Sequence, residues 1–82
     1  MTIEQVKSII NAIIDDLRAK YEIDWLDYTI ISPQTTSGFY RCDIYVSKNS
    51  HIKTDYVYIR INNYEDMVKK AFELSVINIV SR

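Results

Sequence analysis

The sequence predicts an α+β domain in which a helix, three antiparallel strands and a second helix follow one another. Two observations predict it: apolar residues recur at helical spacing at both ends of the chain, and three stretches between them alternate or are rich in β-branched and aromatic residues. The strand connections are short, which favours an antiparallel meander. At 82 residues, we expect residues 1–82 to form a single domain with both helices on one face of the sheet.

The first helix is predicted from Ile3 to about Tyr21. Thr2 followed by Gln5 is typical of a capping box at a helix start. The apolar residues that follow occupy an arc of roughly 100° on a helical wheel. They are Ile3, Val6, Ile10, Ile13, Ile14, Leu17 and Tyr21.

The strands are predicted at residues 25–32, 39–47 and 55–62. Pro33 and Gly38 bracket the first connection, and the polar residues 48–55 predict a turn region before the third strand. Alternation divides each strand into two sets of side chains. The set expected to face the helices is Leu26, Tyr28, Ile30, Tyr40, Cys42, Ile44, Val46, Val57, Ile59 and Ile61. The opposite set is Trp25, Thr29, Ile31, Phe39, Arg41, Tyr45, Tyr56, Tyr58 and Arg60.

The second helix is predicted to begin after Asn63, a plausible N-cap, with Glu65 and Asp66 in its first turn, where the helix dipole favours acids. One face of this helix collects apolar side chains and is expected to pack on the sheet. Its members are Tyr64, Met67, Val68, Ala71, Phe72, Ser75 and Ile79.

The end of the second helix, "LSVINIVSR", is apolar on nearly all sides. A helix end of this kind is buried on more than one side. We therefore expect a homodimer whose interface includes Val76, Ile77 and Val80. Fraying of the helix end, or cover by the first helix, is the alternative.

The inventory of reactive side chains argues against an enzyme. His51 is the only histidine and Cys42 the only cysteine, which leaves no ligand set for a zinc or iron site built from His and Cys. Cys42 lies in the inward row of its strand and is expected to be buried and inert. We therefore expect no catalytic residue, no metal and no cofactor; a nuclease or toxin that uses His51 is the weakest of the alternatives.

The run "VKKAFE" and the α-β-β-β-α order are similar to those of double-stranded-RNA-binding domains, which carry a Lys-Lys-x-Ala-Lys-like run at the start of their second helix. Here Lys69, Lys70 and Ala71 lie inside the helix, after the acidic opening "YEDM", and the basic last position of the run is absent. The histidine of that family lies between its first two strands, whereas His51 lies between the last two. Small toxins of the HicA type share the element order as well.

The net charge predicts the class of partner, and the N-terminal residues predict the cellular compartment. Ten basic and eleven acidic residues give a net charge of −1, whereas general nucleic-acid binders usually carry a basic surplus. The sequence shows neither a signal peptide nor an apolar run of transmembrane length, so we expect a cytoplasmic protein without a membrane partner. The bias toward Ile, Tyr, Asn and Lys is typical of AT-rich genomes, among them those of viruses and plasmids.

The outer faces of the second and third strands carry the features from which we predict a function. Tyrosine and arginine are enriched in binding hot spots, so we expect a small non-enzymatic interaction module, such as a virus- or plasmid-encoded modulator of a host protein. The residues expected to bind the protein partner are Phe39, Arg41, Tyr45, Tyr56, Tyr58 and Arg60. The alternative is a nucleic-acid-binding domain in which Tyr45, Tyr56 and Tyr58 stack on bases while Arg41 and Arg60 contact phosphates.

Overall fold

A computed structural model describes residues 1–32, 38–62 and 64–82 of the chain. It confirms the predicted order of helix, three strands and helix, and the three strands form one antiparallel sheet in the order β1-β2-β3. The elements are α1 (Ile3–Lys20), β1 (Trp25–Ile31), β2 (Phe39–Lys48), β3 (His51–Arg60) and α2 (Glu65–Val80).

Both ends of α1 are capped by local hydrogen bonds. The predicted capping box is present: the Gln5 N–H donates to Thr2 Oγ1 at 3.2 Å, and the Thr2 N–H donates to Gln5 Oε1 at 2.8 Å. At the other end, Glu22 adopts a left-handed conformation, with φ of 53°, and the Ile23 N–H returns to the Arg18 carbonyl at 2.9 Å. This is the Schellman arrangement, which stops the helix and turns the chain into the sheet.

The strand β3 begins earlier than the sequence predicts. Residues 51–54 were expected in a polar turn, but β3 starts at His51, which pairs with Lys48 of β2. Only Asn49 and Ser50 form the turn, and both have positive φ, 52° and 66°. Two left-handed central residues are the mark of a type I′ hairpin turn, whose twist matches that of the flanking strands. The predicted ends at Ser32 and Asn62 were also too late, since β1 ends at Ile31 and β3 at Arg60.

The core lies between one face of the sheet and the two helices. The α1 helix lies over β1, and α2 lies over β2 and β3. The inward row of the strands is buried or half-buried as predicted, and Tyr28 meets Phe72 of α2 edge-to-face at 5.9 Å between ring centroids. The buried apolar residues are Val6, Ile10, Leu17, Ile23, Leu26, Tyr40, Cys42, Ile44, Val46, Ile59, Val68, Phe72, Val76 and Ile79.

The face of α2 that packs on the sheet differs from the predicted one. The expected core residues Tyr64 and Met67 are 77% and 51% exposed, whereas Val76 is fully buried. The side chains of Phe72 and Val76, four residues apart, lie on the same side of the helix. The prediction that Val76 lies on the outer side of α2, available to a second copy, is therefore wrong. Its neighbours Ile77 and Val80 are half-buried.

The start of α2 also departs from expectation. Tyr64 holds the N-cap position, and its side chain makes no capping hydrogen bond. Asn63, the predicted N-cap, lies outside the described residues, as do residues 33–37 between β1 and β2. Glu65 and Asp66 do occupy the first turn.

Candidate interaction surface

The sheet face opposite the helices is the candidate site. Among the described residues, no helix or strand packs on it. We call it the open face. Side chains of neighbouring strands form five rows across it. In order along the strands, the rows are Phe39–Arg60, Ile31–Arg41–Tyr58, Thr29–Asp43–Tyr56, Asp27–Tyr45–Thr54 and Trp25–Ser47–Ile52. The antiparallel register brings all six residues predicted to bind a partner to this one face.

Three aromatic rings at one end of the open face form a continuous contact. Phe39 meets Tyr58 at 6.2 Å between ring centroids, and Tyr58 meets Tyr56 at 5.5 Å, both edge-to-face. Tyr56 and Tyr58 are nevertheless 49% and 56% exposed. Edge-to-face packing orients the rings while leaving much of their surface available for contact.

The two arginines of the open face lie over these rings. The Arg41 guanidinium is 4.4 Å from the Tyr56 ring centroid, and that of Arg60 is 5.5 Å from the Phe39 centroid. Arg41 also donates from Nε to Asp43 Oδ1 at 2.7 Å, and this hydrogen bond raises the pKa of its guanidinium. Both cations are thus held on aromatic surfaces, and Arg41 is also anchored by a carboxylate.

Tyr45 is the one predicted binding residue that does not belong to the cluster of joined rings and arginines on the open face. It is half-buried and lies between Asp27 and Thr54, in a polar row next to that of Tyr56, and its ring does not join the edge-to-face contacts. The structure therefore places Tyr45 on the open face but not within the aromatic cluster.

The open face extends to apolar residues that the sequence prediction of the binding site did not include. Trp25 is 59% exposed and Ile52 is 78% exposed, and the two flank Ser47 at the hairpin end of the sheet. Ile31 adds a third apolar side chain beside Arg41. The polar character of residues 48–55 predicts a turn there and so hides Ile52. Interpreting Asn49 as the first residue of a tight hairpin turn places Ile52 on the strand.

The charges of the open face balance. Arg41 and Arg60 are matched by Asp27 and Asp43, so the face has no formal net charge. A phosphate polymer is attracted mainly by an excess of positive charge. The surface is therefore a mixed one, with aromatic and apolar side chains at both ends and a polar row between them.

The residues considered for catalysis are not brought together. His51 is exposed and pairs with Lys48, six residues along β2 from Cys42, a separation of roughly 20 Å. Among the described residues, no three His, Cys, Asp or Glu side chains come close enough to hold a metal ion.

Native Cys42 should react very slowly with a thiol reagent. Its side chain is fully buried, and burial raises the pKa of the thiol to about 12, so the reactive thiolate is scarce at pH 8. Because an unfolded thiol has a pKa of about 8.5, its ionisation should also reduce the stability of the fold as the pH rises from about 9 toward 12. The measurement is the labelling rate at pH 8, with the exposed-site variant Thr29→Cys as the fast control. Equal rates for Cys42 and Cys at position 29 would contradict the burial.

Comparison of the chain with protein-family models, curated proteins and solved structures finds no match. Neither α1 nor α2 combines the length and apolar content needed to cross a bilayer.

Proposed function

We propose that this chain is a small interaction module whose open face binds a folded protein. The observation that supports the proposal is a cluster on the open face that edge-to-face and cation–π contacts hold together while all its members except Phe39 remain exposed. The cluster consists of Phe39, Arg41, Tyr56, Tyr58 and Arg60. Side chains already fixed in place lose little conformational entropy when they bind. Trp25 and Ile52 add a second exposed apolar area at the hairpin end of the same face.

The charges indicate the chemistry of the partner. Arg60 has no carboxylate within ion-pairing distance among the described residues, while Arg41 is already bound to Asp43. A partner suited to the open face therefore presents apolar side chains to the two ends of the face and a carboxylate that can reach Arg60. A virus- or plasmid-encoded modulator of a host protein is one setting in which such a module would act.

Nucleic acid is the second candidate, because the exposed rings of Tyr56 and Tyr58 could stack on bases. Two contacts count against it. The Arg41 guanidinium covers the ring of Tyr56, and its charge is shared with Asp43. Asp27 and Asp43 would also repel a phosphate backbone.

The class of ligand can be decided by two parallel captures. We expect the immobilised chain to retain a protein from a nuclease-treated extract of its host. We also expect the free chain to pass through a column of single-stranded and double-stranded nucleic acid even at low salt. Retention on that column with a steep loss between low and moderate salt would support nucleic-acid binding instead.

A further inference from the structure

Among the described residues, no strand pairs with the outer sides of β1 and β3. The Ile61 N–H donates to the Gly38 carbonyl at 2.9 Å, in register with the β2–β3 ladder. Because backbone direction alternates along a strand, the odd-numbered residues of β3 point toward β2 and the even-numbered ones point outward. The same alternation, carried across β2 by its register with β1, directs the even-numbered residues of β1 outward. The outward backbone groups belong to Leu26, Tyr28 and Ile30 on β1 and to Ile52, Thr54, Tyr56, Tyr58 and Arg60 on β3.

The composition of these edge strands favours the addition of a further strand. Residues 56–61, "YVYIRI", combine aromatic and β-branched side chains with a single charge and contain neither glycine nor proline. Segments of this kind pair readily with other strands when they lie at an exposed edge. The β3 strand is also long, at 10 residues. A long edge of such composition is a site of aggregation unless the fold protects it.

A carboxylate occupies the middle of each edge. On β1 the Tyr28 N–H donates to Asp27 Oδ1 at 2.8 Å, and on β3 the Tyr56 N–H donates to Asp55 Oδ1 at 2.8 Å. Tyr28 and Tyr56 are the central outward residues of their strands. The two edges therefore have the same Asp-Tyr sequence, the same hydrogen bond and the same central position for it.

The aspartate of the central strand behaves differently. Asp43 lies in β2, and its carboxylate accepts a hydrogen bond from Arg41 Nε at 2.7 Å. The N–H that follows it in the chain, that of Ile44, points toward β3, where Asp55 is the ladder partner. An aspartate thus binds the next backbone N–H on the two strands where that N–H points away from the sheet.

We propose that Asp27 and Asp55 guard the edges of the sheet: each carboxylate blocks the middle of its edge strand, so that no further strand adds there. In an antiparallel ladder an outward N–H binds a carbonyl oxygen of the incoming strand. At Tyr28 and Tyr56 that place is taken by a carboxylate oxygen, and an incoming carbonyl would meet a second acceptor that repels it. Moving the carboxylate aside breaks a charge-assisted hydrogen bond, which is roughly twice as strong as a neutral one.

The guard of the longer edge is held by both of its oxygens. Asp55 Oδ2 pairs with the Arg82 guanidinium, which leaves Oδ1 for the Tyr56 N–H. Lys53 Nζ donates to the Arg82 carbonyl at 2.6 Å and so ties Arg82 to the same strand. The edge with more outward groups therefore has the carboxylate that is more firmly fixed.

The central position of the guards leaves only short runs of free edge. One outward residue remains on each side of Tyr28, and two remain on each side of Tyr56. Cross-strand pairs are the units that stabilise a sheet, and neither edge offers an uninterrupted row of them. This inference does not depend on the proposed function, which concerns the open face and not the strand edges.

Paired substitutions test the guards. Asp27→Ala with Asp55→Ala removes both carboxylates and changes the net charge from −1 to +1, since two negative charges are lost. We expect this variant to form sedimenting, thioflavin-positive assemblies at least tenfold faster than the unmodified chain. Asp27→Asn with Asp55→Asn makes the same change in charge but keeps a side-chain oxygen that accepts a hydrogen bond, so it should stay as soluble as the unmodified chain. Equal assembly by the two variants, or none by the Ala variant, would overturn the proposal.

Backbone amide exchange in the unmodified chain tests the two hydrogen bonds without a substitution. The amides of Tyr28 and Tyr56 should be protected at least tenfold more than those of Thr54 and Tyr58, after correction for intrinsic rates. Thr54 and Tyr58 also point outward, but each follows a residue without a carboxylate. Equal protection of the four amides would overturn the proposal. If the Ala variant loses its helical circular dichroism, this measurement decides.

Discussion

Val76→Glu should unfold the domain. Val76 is a fully buried core residue of α2. An unpaired carboxylate at such a position lowers the free energy of unfolding by several kcal/mol or forces α2 off the sheet. The whole stability of a domain of this size is on the order of 4–12 kcal/mol, so one substitution of this kind is enough. Far-UV circular dichroism and a thermal melt are the measurements.

The matched control is Asn78→Glu. It introduces the same side chain near the same end of α2, where the helix dipole disfavours an acid in both variants, but Asn78 is exposed. Its free energy of unfolding should change by no more than about 0.5 kcal/mol. A cooperative, unshifted melt for Val76→Glu would show that Val76 faces outward, as the sequence pattern first suggested.

Tyr58→Ala combined with Arg60→Ala should abolish capture of the protein partner. Hot-spot residues cost about 2 kcal/mol or more each when they are truncated, and two such losses weaken binding by roughly a thousandfold. Tyr58 holds the centre of the joined rings, and Arg60 lies over Phe39 at their end. The fold should survive, because both side chains are exposed; we expect a stability change of about 1 kcal/mol.

A second tyrosine and arginine pair provides the control for that variant. Tyr64 and Arg18 are exposed on the helix side of the molecule, so Tyr64→Ala with Arg18→Ala removes the same chemistry from another surface. Capture should be retained by this control. If the Tyr58 and Arg60 variant retains the partner as well, the tyrosines of the open face serve only to stabilise the sheet.

The parts of the fold that the sequence predicted correctly depend on local signals. Thr2 and Gln5 define the start of α1, and alternation from Phe39 onward defines both faces of β2. The open face follows from the same alternation, which is why the six predicted binding residues share it. The order of elements follows from the short connections.

The parts that were missed depend on backbone conformation and tertiary packing. Serine is not a residue type that indicates a left-handed conformation, yet Ser50 adopts one in the turn before β3. The sequence therefore does not indicate that β3 begins at His51 or that Ile52 lies on it. The α2 helix is apolar on two sides, and only its packing against the sheet selects Val76 rather than Met67 for the core. Periodicity alone cannot choose between two apolar sides of one helix.

Photo-cross-linking from position 58 tests most directly whether the open face binds a protein. A photoreactive phenylalanine analogue in place of Tyr58 should yield, in cells, one product that contains this chain and a different protein. The same analogue in place of Asp16, exposed on α1, should not yield that product. A product from position 58 that contains only two copies of this chain, or no product at all, would contradict the proposed function.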